Sequence, residues 1–274
     1  MKINSSKHLA SYAIELLAAG RIVFSDAEAE SAIGVNHGAF LDAAEKLQKR
    51  HRISRLRRGF YVVVPPQYLT LESPPPNWFI DDLMRHEQAS YYVGLLKAAE
   101  LHGAAHQAVM EFQVMTNKRL PAVRAGRSRI VFYYRKNLPA VEAGIESYKT
   151  DSGGMKISSA ELTILDLIRY PQASGGMDNA VTVISELGSK IRASNLVSLS
   201  KAFEKATVQR IGYILDLLCL KEIADELQLS LDKRGLPWIE LEPSSESKDA
   251  LTSPVISRDA RWRVVVRRVP ESEA

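Results

Sequence analysis

The stretch SDAEAESAIGVNHGAFLDAAEKLQKR, from Ser25 to Arg50, decides the fold of the N-terminal part of the chain. It opens with Ser25-Asp-Ala-Glu28, a capping box in which the serine hydroxyl accepts a hydrogen bond from the third helical amide and the glutamate reaches back to the serine amide. The box predicts a short helix that runs to about Ile33.

A tight break and a longer helix follow. Gly34-Val-Asn36 interrupts the helical pattern, because glycine and asparagine favour turns. From about His37 to Arg50, apolar residues recur at helical spacing and predict one buried face. The members of that face are Phe40, Leu41, Ala44 and Leu47.

One more helix precedes this pair, and two strands follow it. The first helix is predicted from Leu9, Ala13, Leu16 and Leu17, after Ser5 and Ser6 and before Gly20. Ile53 to Leu56 and Phe60 to Val64 are strand-like runs joined by a turn at Arg57-Arg58-Gly59. Three helices and a hairpin in this order predict a winged helix-turn-helix in residues 1–64.

Basic residues are concentrated at the end of the third helix and in the hairpin. Seven of the 36 lysines and arginines fall within thirteen positions, and no acid interrupts them: Lys46, Lys49, Arg50, Arg52, Arg55, Arg57 and Arg58. Cations placed there in a winged helix contact DNA phosphates and contribute affinity by releasing counterions. A solvated face is the usual explanation of an isolated basic run, but here charge and element order agree, and we expect double-stranded DNA to be bound.

Base reading requires side chains on the outer surface of the third helix, whose N-terminal part enters the major groove in this motif. The residues off the apolar stripe are Asn36, His37, Ala39, Ala43 and Lys46. They are the candidates for sequence readout, although His37 alone fits a base contact and an ordinary helix surface equally well.

A proline cluster marks the end of this domain. Five of the twelve prolines lie between Pro65 and Pro76, which disfavours both helix and interior strand. We therefore expect a linker at residues 65–78 and a larger domain at residues 79–274.

The larger domain is expected to be α+β, with a small sheet and a C-terminal helical bundle. Ala89 to Leu101 has a helical pattern, while alternation around Phe112 and the run Ile130 to Tyr134 predict strands. Arg119 to Arg129 is predicted to be a connection. Capping residues at Ser158, Asp178, Ser194 and Thr207 predict four helices, and alternation around Trp262 predicts a final strand that returns to the sheet.

The larger domain shows no convincing catalytic, cofactor or metal pattern. Asp151-Ser-Gly-Gly154 is similar to a serine-protease nucleophile loop, but no base is placed beside it, and a turn between strands is favoured. His102 and His106 have zinc-helix spacing, yet Gly103 replaces the required glutamate. The single cysteine, Cys219, is expected to be a buried thiol. We expect a binding protein without enzymatic activity, metal or cofactor.

The overall balance of residues is that of a globular protein. Hydrophobic residues make up 46% and charged residues 25% of the 274, and the formal net charge is +4. Met1 to His8 contains no signal-peptide stretch, and no run reaches the roughly 18 apolar residues of a membrane span. We expect a cytoplasmic protein without a membrane partner.

Several segments resemble one family, the AbiEi-type antitoxins of type IV toxin-antitoxin systems. The first two are Arg58-Gly-Phe-Tyr-Val-Val-Val-Pro65 and Tyr91-Tyr-Val-Gly-Leu-Leu-Lys-Ala-Ala-Glu-Leu-His-Gly103. The other two are Ile157-Ser-Ser-Ala-Glu-Leu-Thr-Ile-Leu-Asp-Leu-Ile-Arg-Tyr-Pro171 and Gln209-Arg-Ile-Gly-Tyr-Ile-Leu-Asp216. The resemblance covers about residues 5–220 through element order and short segments rather than one diagnostic motif.

This resemblance implies a repressor whose N-terminal domain binds inverted repeats in the promoter of its own operon. It also implies a C-terminal domain that counteracts the toxin AbiEii, which is similar to nucleotidyltransferases, without forming a stable toxin complex. DNA contacts would fall on the seven basic residues from Lys46 to Arg58. A second basic surface, for DNA or for a nucleic-acid substrate of the toxin, could be formed by Arg119, Arg124, Arg127 and Arg129, although a solvated loop is the simpler interpretation.

Two other classes of function remain open. The chain could be a one-component transcriptional regulator whose larger domain senses a small molecule in an apolar pocket. It could also be an enzyme with an appended DNA-binding domain, which the missing catalytic pattern disfavours. A nucleotidyltransferase gene immediately downstream would favour the antitoxin.

Overall fold

The computed structural model describes residues 8–104, 110–232, 235–242 and 254–271. Its architecture is α+β, as predicted, and the chain divides into two compact units. The first unit comprises residues up to Tyr92 together with Met110–Lys136 and Ser147–Lys156. The second comprises Val93–Val109, Asn137–Glu146 and the chain from Ile157.

The first unit begins with three helices and a small sheet. The helices are α1 (Leu9–Ala18), α2 (Asp26–Ile33) and α3 (His37–Lys49), and the strands are β1 (Val23–Phe24), β2 (Ile53–Arg57) and β3 (Phe60–Val63). The strands form a sheet in the order β1-β3-β2, and both neighbouring pairs are antiparallel. The helices and the hairpin occur in the predicted order. Strand β1 was not predicted, because it is only two residues long.

Local signals in the sequence account for the ends of these helices. Ser25 caps α2 by accepting from the Glu28 amide at 3.1 Å. Gly34 ends α2 in the left-handed region at a φ of 71°, where a side chain is strained. Asn36 caps α3 by accepting from the Ala39 amide at 2.9 Å.

Aromatic rings hold these elements together. The Tyr61 ring stacks on Phe24 with 5.3 Å between centroids and meets Phe40 edge-on at 5.4 Å. Phe40, Ala44 and Leu47 form the buried face of α3. Leu41, which we predicted to share that face, is 37% exposed, because it lies about 100° around the helix from Phe40.

Most residues of a six-stranded sheet belong to the remainder of the first unit. Its strands are β4 (Tyr91–Val93), β5 (Glu111–Thr116), β6 (Val123–Ala125), β7 (Ser128–Tyr134), β8 (Ile145–Thr150) and β9 (Gly153–Ser158), in the order β6-β7-β5-β4-β9-β8. A short helix, α4 (Ile80–His86), precedes β4. Pro66–Leu71 and Pro76–Trp78, in the proline-rich segment, form 3-10 turns, which proline permits at their first positions.

Three sequence predictions about this sheet need correction. The predicted helix Ala89–Leu101 is helical only in α5 (Leu95–Leu101), because Tyr91–Val93 is drawn into the sheet as a buried strand. The predicted connection Arg119–Arg129 contains β6, which forms a hairpin with β7. The final strand pairs in a separate sheet rather than in this one.

The second unit is mainly helical. It contains α5, α6 (Ala160–Arg169), α7 (Met177–Leu187), α8 (Ala193–Ser200), α9 (Lys205–Leu217) and α10 (Lys221–Ser230). Every residue of α6 from Ala160 to Ile168 is buried, so α6 is the central helix of the unit. Its capping residue is Ser159 rather than the predicted Ser158, and α7, α8 and α9 begin before the predicted caps at Asp178, Ser194 and Thr207.

The C-terminal segment forms a small sheet that packs against α9. The strands β10 (Ile239–Glu240), β11 (Ser257–Asp259) and β12 (Val264–Val266) pair in the order β10-β12-β11. Trp262 is fully buried, and its Nε1 donates to Asp216 Oδ2 at 2.6 Å. A Cβ on Gly212 would lie 2.2 Å from the Trp262 ring, so this position in α9 requires glycine.

Candidate nucleic-acid interface

The two residues at the start of α3 that were predicted to read bases both have protein partners. Asn36 is exposed, but its Oδ1 accepts the capping hydrogen bond from Ala39. His37 lies 2.6 Å through Nδ1 from Glu30 Oε1, and its side chain is 61% exposed. Asn36 therefore has a structural role as well as an exposed position, and His37 is oriented by a carboxylate.

The outer surface of α3 carries both signs of charge. Lys46 and Lys49 are exposed, as is Ala39, whereas Ala43 packs partly against the core. Lys49 donates to Glu45 at 2.6 Å, and this hydrogen bond lowers the pKa of Glu45 below its ordinary value. Glu45 was not among the predicted site residues, although its i,i+4 spacing from Lys49 places the two side chains together.

Leu41 is a further exposed residue on α3 that the sequence reasoning missed. The signal that could have revealed it is its spacing from Phe40, since neighbouring helical residues do not share one narrow face.

Basic residues continue from the end of α3 into the β2-β3 hairpin. Arg50 is the C-terminal cap residue of α3, and Arg50, Arg52, Arg55 and Arg58 are exposed. The Arg55 guanidinium lies 5.8 Å from the centre of the Tyr61 ring. The hairpin turns at Gly59, whose φ of 73° favours glycine.

Arg57 differs from the other basic residues of this hairpin because it is packed within the first unit. A β-bulge between Arg55 and Arg57 interrupts the regular alternation of β2. Arg57 donates from Nε to Glu87 Oε1 at 2.8 Å and from Nη2 to the Pro121 carbonyl at 2.5 Å. Its side chain is 19% exposed and that of Glu87 is 15% exposed. The hairpin is thereby linked to the segment after α4 and to the segment before β6.

The predicted second basic surface lies on the β6-β7 hairpin and at its start. Arg119, Arg124, Arg127 and Arg129 are all exposed. Arg119 stacks over Tyr134 at 4.3 Å, and Arg129 pairs with Glu111 at 2.5 Å. A cavity of about 460 Å³ is lined by Met110, Glu111, Ala122, Val123, Arg124, Arg127 and Arg129. The structure therefore gathers three of the four arginines around one opening.

The patterns weighed for catalysis form ordinary structural contacts. Asp151 and Ser152 are in the turn between β8 and β9, and Ser152 Oγ donates to the Trp78 carbonyl at 2.7 Å. His102 follows α5 and donates to the Ser158 carbonyl at 2.7 Å, whereas His106 lies outside the described residues. Cys219 is exposed rather than buried, because it lies just beyond α9.

Within the described residues there is neither a metal-binding cluster nor a membrane-spanning helix. No group of three or more histidine, cysteine or acidic side chains with the spacing of a metal site is found among them. No helix in the described ranges is both long enough and apolar enough to cross a membrane.

The fold and these surfaces define an α+β protein with a basic three-helix and hairpin segment at its start and a helical second unit. Residues 92–217 match the family described as the AbiEi antitoxin C-terminal domain. This match confirms the resemblance to AbiEi-type antitoxins that the sequence segments indicated, and an antitoxin role in a toxin-antitoxin system is supported by that domain.

A solved structure also resembles the chain over almost its whole length. The RV2827C protein from Mycobacterium tuberculosis aligns with a TM-score of 0.68 over 95% of this chain and 92% of its own. Because only 14% of the residues are identical, this likeness shows a shared fold. None of the curated proteins matches the chain.

Proposed function

We propose that this protein is a DNA-binding antitoxin that represses its own toxin-antitoxin operon and counteracts a nucleotidyltransferase-like toxin. The observation that carries the proposal is a basic helix and hairpin, from Lys46 to Arg58, in the same chain as an AbiEi antitoxin domain.

In this proposal the N-terminal segment is a winged helix-turn-helix. Helix α2, the break at Gly34 and helix α3 form the helix-turn-helix, and the β2-β3 hairpin is the wing. The exposed N-terminal half of α3 enters the major groove, while the basic residues of its C-terminal turn and of the wing contact phosphates. Operator half-sites one helical turn apart, in an inverted repeat, would bring two copies together on DNA.

The nine proposed DNA contacts divide according to their surroundings. Lys46, Lys49, Arg50, Arg52, Arg55 and Arg58 are exposed and supply charge to phosphates. Asn36 and His37 contribute to sequence discrimination from the start of α3. Arg57, which is already bonded to Glu87, contributes by holding the wing in place as much as by its charge.

The DNA-binding part of the proposal is tested by fluorescence anisotropy with the full chain. Its own upstream DNA and a scrambled duplex are titrated across a salt series. Tight binding to the upstream DNA with a steep salt slope is expected, and equal weak binding to both duplexes would contradict the regulator.

Two double variants localise the interface. Arg55→Ala with Arg58→Ala removes two phosphate contacts and should reduce the salt slope by about 1.8. Lys201→Ala with Lys221→Ala is the matched control, because it removes the same charge from exposed positions of the second unit. An equal effect of both variants would mean that only net charge matters.

The antitoxin part is tested separately by co-expressing the protein with the nucleotidyltransferase-like toxin that the proposal expects in the adjacent gene. Growth should be rescued by the full chain and also by the Arg55→Ala, Arg58→Ala variant, because the AbiEi domain is unchanged. If repression responds instead to a small metabolite and no toxin is neutralised, the protein is a one-component regulator.

A further inference from the structure

A polar cavity of about 250 Å³ lies within the second unit, where α6 begins. Segments that are remote in the chain contribute to it: the end of α5, the start of β8, the first turn of α6 and the stretch that leads into α8. Only one lining residue is apolar, so the cavity suits a small polar ligand. The lining residues are His102, Glu146, Ala160, Glu161, Lys190, Arg192 and Asn195.

Glu161 contributes a buried carboxylate to this cavity. The residue is only 3% exposed, and its Oε1 accepts a hydrogen bond from the Arg192 backbone amide at 2.9 Å. Glu161 is also in the first turn of α6, where the positive end of the helix dipole stabilises negative charge. Within the described residues, no cation pairs with this carboxylate and no donor contacts Oε2. Because a buried carboxylate is stabilised best by a cation, Oε2 is suited to accept from a positively charged ligand.

Two cations line the same cavity. Lys190 Nζ donates to the His102 carbonyl, at the C-terminal end of α5. Arg192 contacts Glu161 through its backbone amide, so its exposed guanidinium keeps its donors for a ligand. In the part of the chain that the structure describes, neither cation forms an ion pair with a carboxylate. Both groups are therefore suited to bind an anionic group of a ligand.

The cavity thus combines charges of both signs that do not neutralise each other. Glu146 is exposed and, like Arg192, has no ion-pair partner among the described residues. A ligand that carries one positive and one negative group satisfies both sets of side chains at once. The volume of about 250 Å³ is below the roughly 300–1,000 Å³ of sites for drug-sized ligands, which favours a ligand smaller than a nucleotide.

We propose that this cavity, the α6 pocket, is a binding site for a free α-amino acid. Glu161 and Glu146 accept hydrogen bonds from the ammonium group of the ligand, and Arg192 and Lys190 donate to its carboxylate. The Asn195 amide, which both donates and accepts, is available to a polar ligand side chain.

The α6 pocket does not depend on the proposed DNA binding or on a toxin. All of its lining residues belong to the second unit, whereas the basic residues from Lys46 to Arg58 belong to the first. A ligand that contacts the end of α5, the start of α6 and the segment before α8 stabilises the folded state, because it binds only when these segments are together. Failure of amino-acid binding leaves the proposed regulator and antitoxin intact, and the reverse also holds.

The test measures thermal unfolding of the full chain with each free amino acid in turn. A ligand with a Kd of about 1 mM, added at about 10 mM, should raise the melting temperature by about 3 °C. For each amino acid that does so, two matched compounds are compared: the N-acetyl form, which lacks the positive charge, and the carboxamide, which lacks the negative charge. Both should lose the shift. If no free amino acid raises the melting temperature, the proposal is overturned.

Variants then locate the site by calorimetric titration with the amino acid that binds. Glu161→Gln keeps an acceptor for the Arg192 amide but removes the charge, and should weaken binding at least about tenfold. Arg192→Ala leaves the backbone amide in place and should have a similar effect. Lys201→Ala, at an exposed position of the same unit, is the control and should bind normally.

The alternatives give different results. Glu146→Gln and Arg192→Ala change exposed residues, so they test the pocket even if Glu161→Gln lowers stability. Unchanged affinity in these two variants overturns the proposal, as does an N-acetyl form that binds as tightly as the free amino acid. A shift produced by inorganic phosphate but by no amino acid would identify a simple anion site instead.

Discussion

Arg57 and Glu87 form an ion pair, with 2.8 Å between Nε and Oε1, that joins the β2-β3 hairpin to the segment after α4. Both side chains are mostly buried, so removing one leaves the other without its main partner. Together with the hydrogen bond from Arg57 to the Pro121 carbonyl, this contact helps to fix the position of the hairpin.

We expect Arg57→Ala and Glu87→Gln to destabilise the protein by about 2 kcal/mol each, because a buried charged hydrogen bond is lost. Urea unfolding measures this change. Arg55→Ala, at an exposed position of the same strand, is the control and should change the free energy of unfolding by less than about 0.5 kcal/mol. If Arg57→Ala is as stable as Arg55→Ala, the ion pair does not hold the hairpin.

The cap formed by Asn36 gives a second prediction, in which two variants distinguish the effect of this residue on stability from its effect on DNA recognition. Asn36→Ala should cost about 1 kcal/mol of stability, because the Ala39 amide loses its partner. Asn36→Ser keeps a capping oxygen and should restore stability while still altering the discrimination between duplexes. Thermal unfolding and anisotropy on the same two variants provide the measurement. Full recovery of both properties by serine would limit Asn36 to its capping role.

The contact between α9 and the C-terminal segment gives a third prediction. Gly212→Ala places a methyl group 2.2 Å from the buried Trp262 ring and should destabilise the second unit by about 1–3 kcal/mol. Gly38→Ala in α3 is the matched control, since the nearest atom to its added Cβ is 3.6 Å away and alanine favours helix. Unfolding followed by tryptophan fluorescence should show the loss for Gly212→Ala, and equal stability of both variants would contradict the packing.

The ion pair between Asp178 and Arg268 gives a pH prediction. The hydrogen bond from Arg268 holds the pKa of Asp178 below its ordinary value, so the folded state favours the carboxylate. This contribution is fully present above the ordinary aspartate pKa and is lost as the pH falls through the lowered folded pKa. Asp178→Asn should therefore be less stable than the unchanged protein near pH 6, and the difference should shrink toward pH 3. The expected difference in stability is modest, because both side chains are about half exposed. A stability difference that is the same at both pH values would exclude this linkage.

Local sequence signals determined the N-terminal elements because each signal acts over a few residues. The Ser25 capping box, the glycine at 34 and the helical spacing of Phe40, Ala44 and Leu47 specify α2, the break and α3 without reference to the rest of the chain. The hairpin turn at Gly59 is likewise specified locally. The concentration of basic residues from Lys46 to Arg58 is visible in the sequence itself.

The tertiary structure alone decided what depends on distant partners. Tyr91–Val93 is a strand because its neighbours in the sheet bury it, although its sequence also fits a helix. Arg57 differs from Arg55 because Glu87 and Pro121 lie beside it, thirty and sixty-four residues away in the chain. Arg124 and Arg129 face each other only through strand register. Side-chain type and short spacing are local properties, whereas burial, pairing and register arise when remote segments pack together.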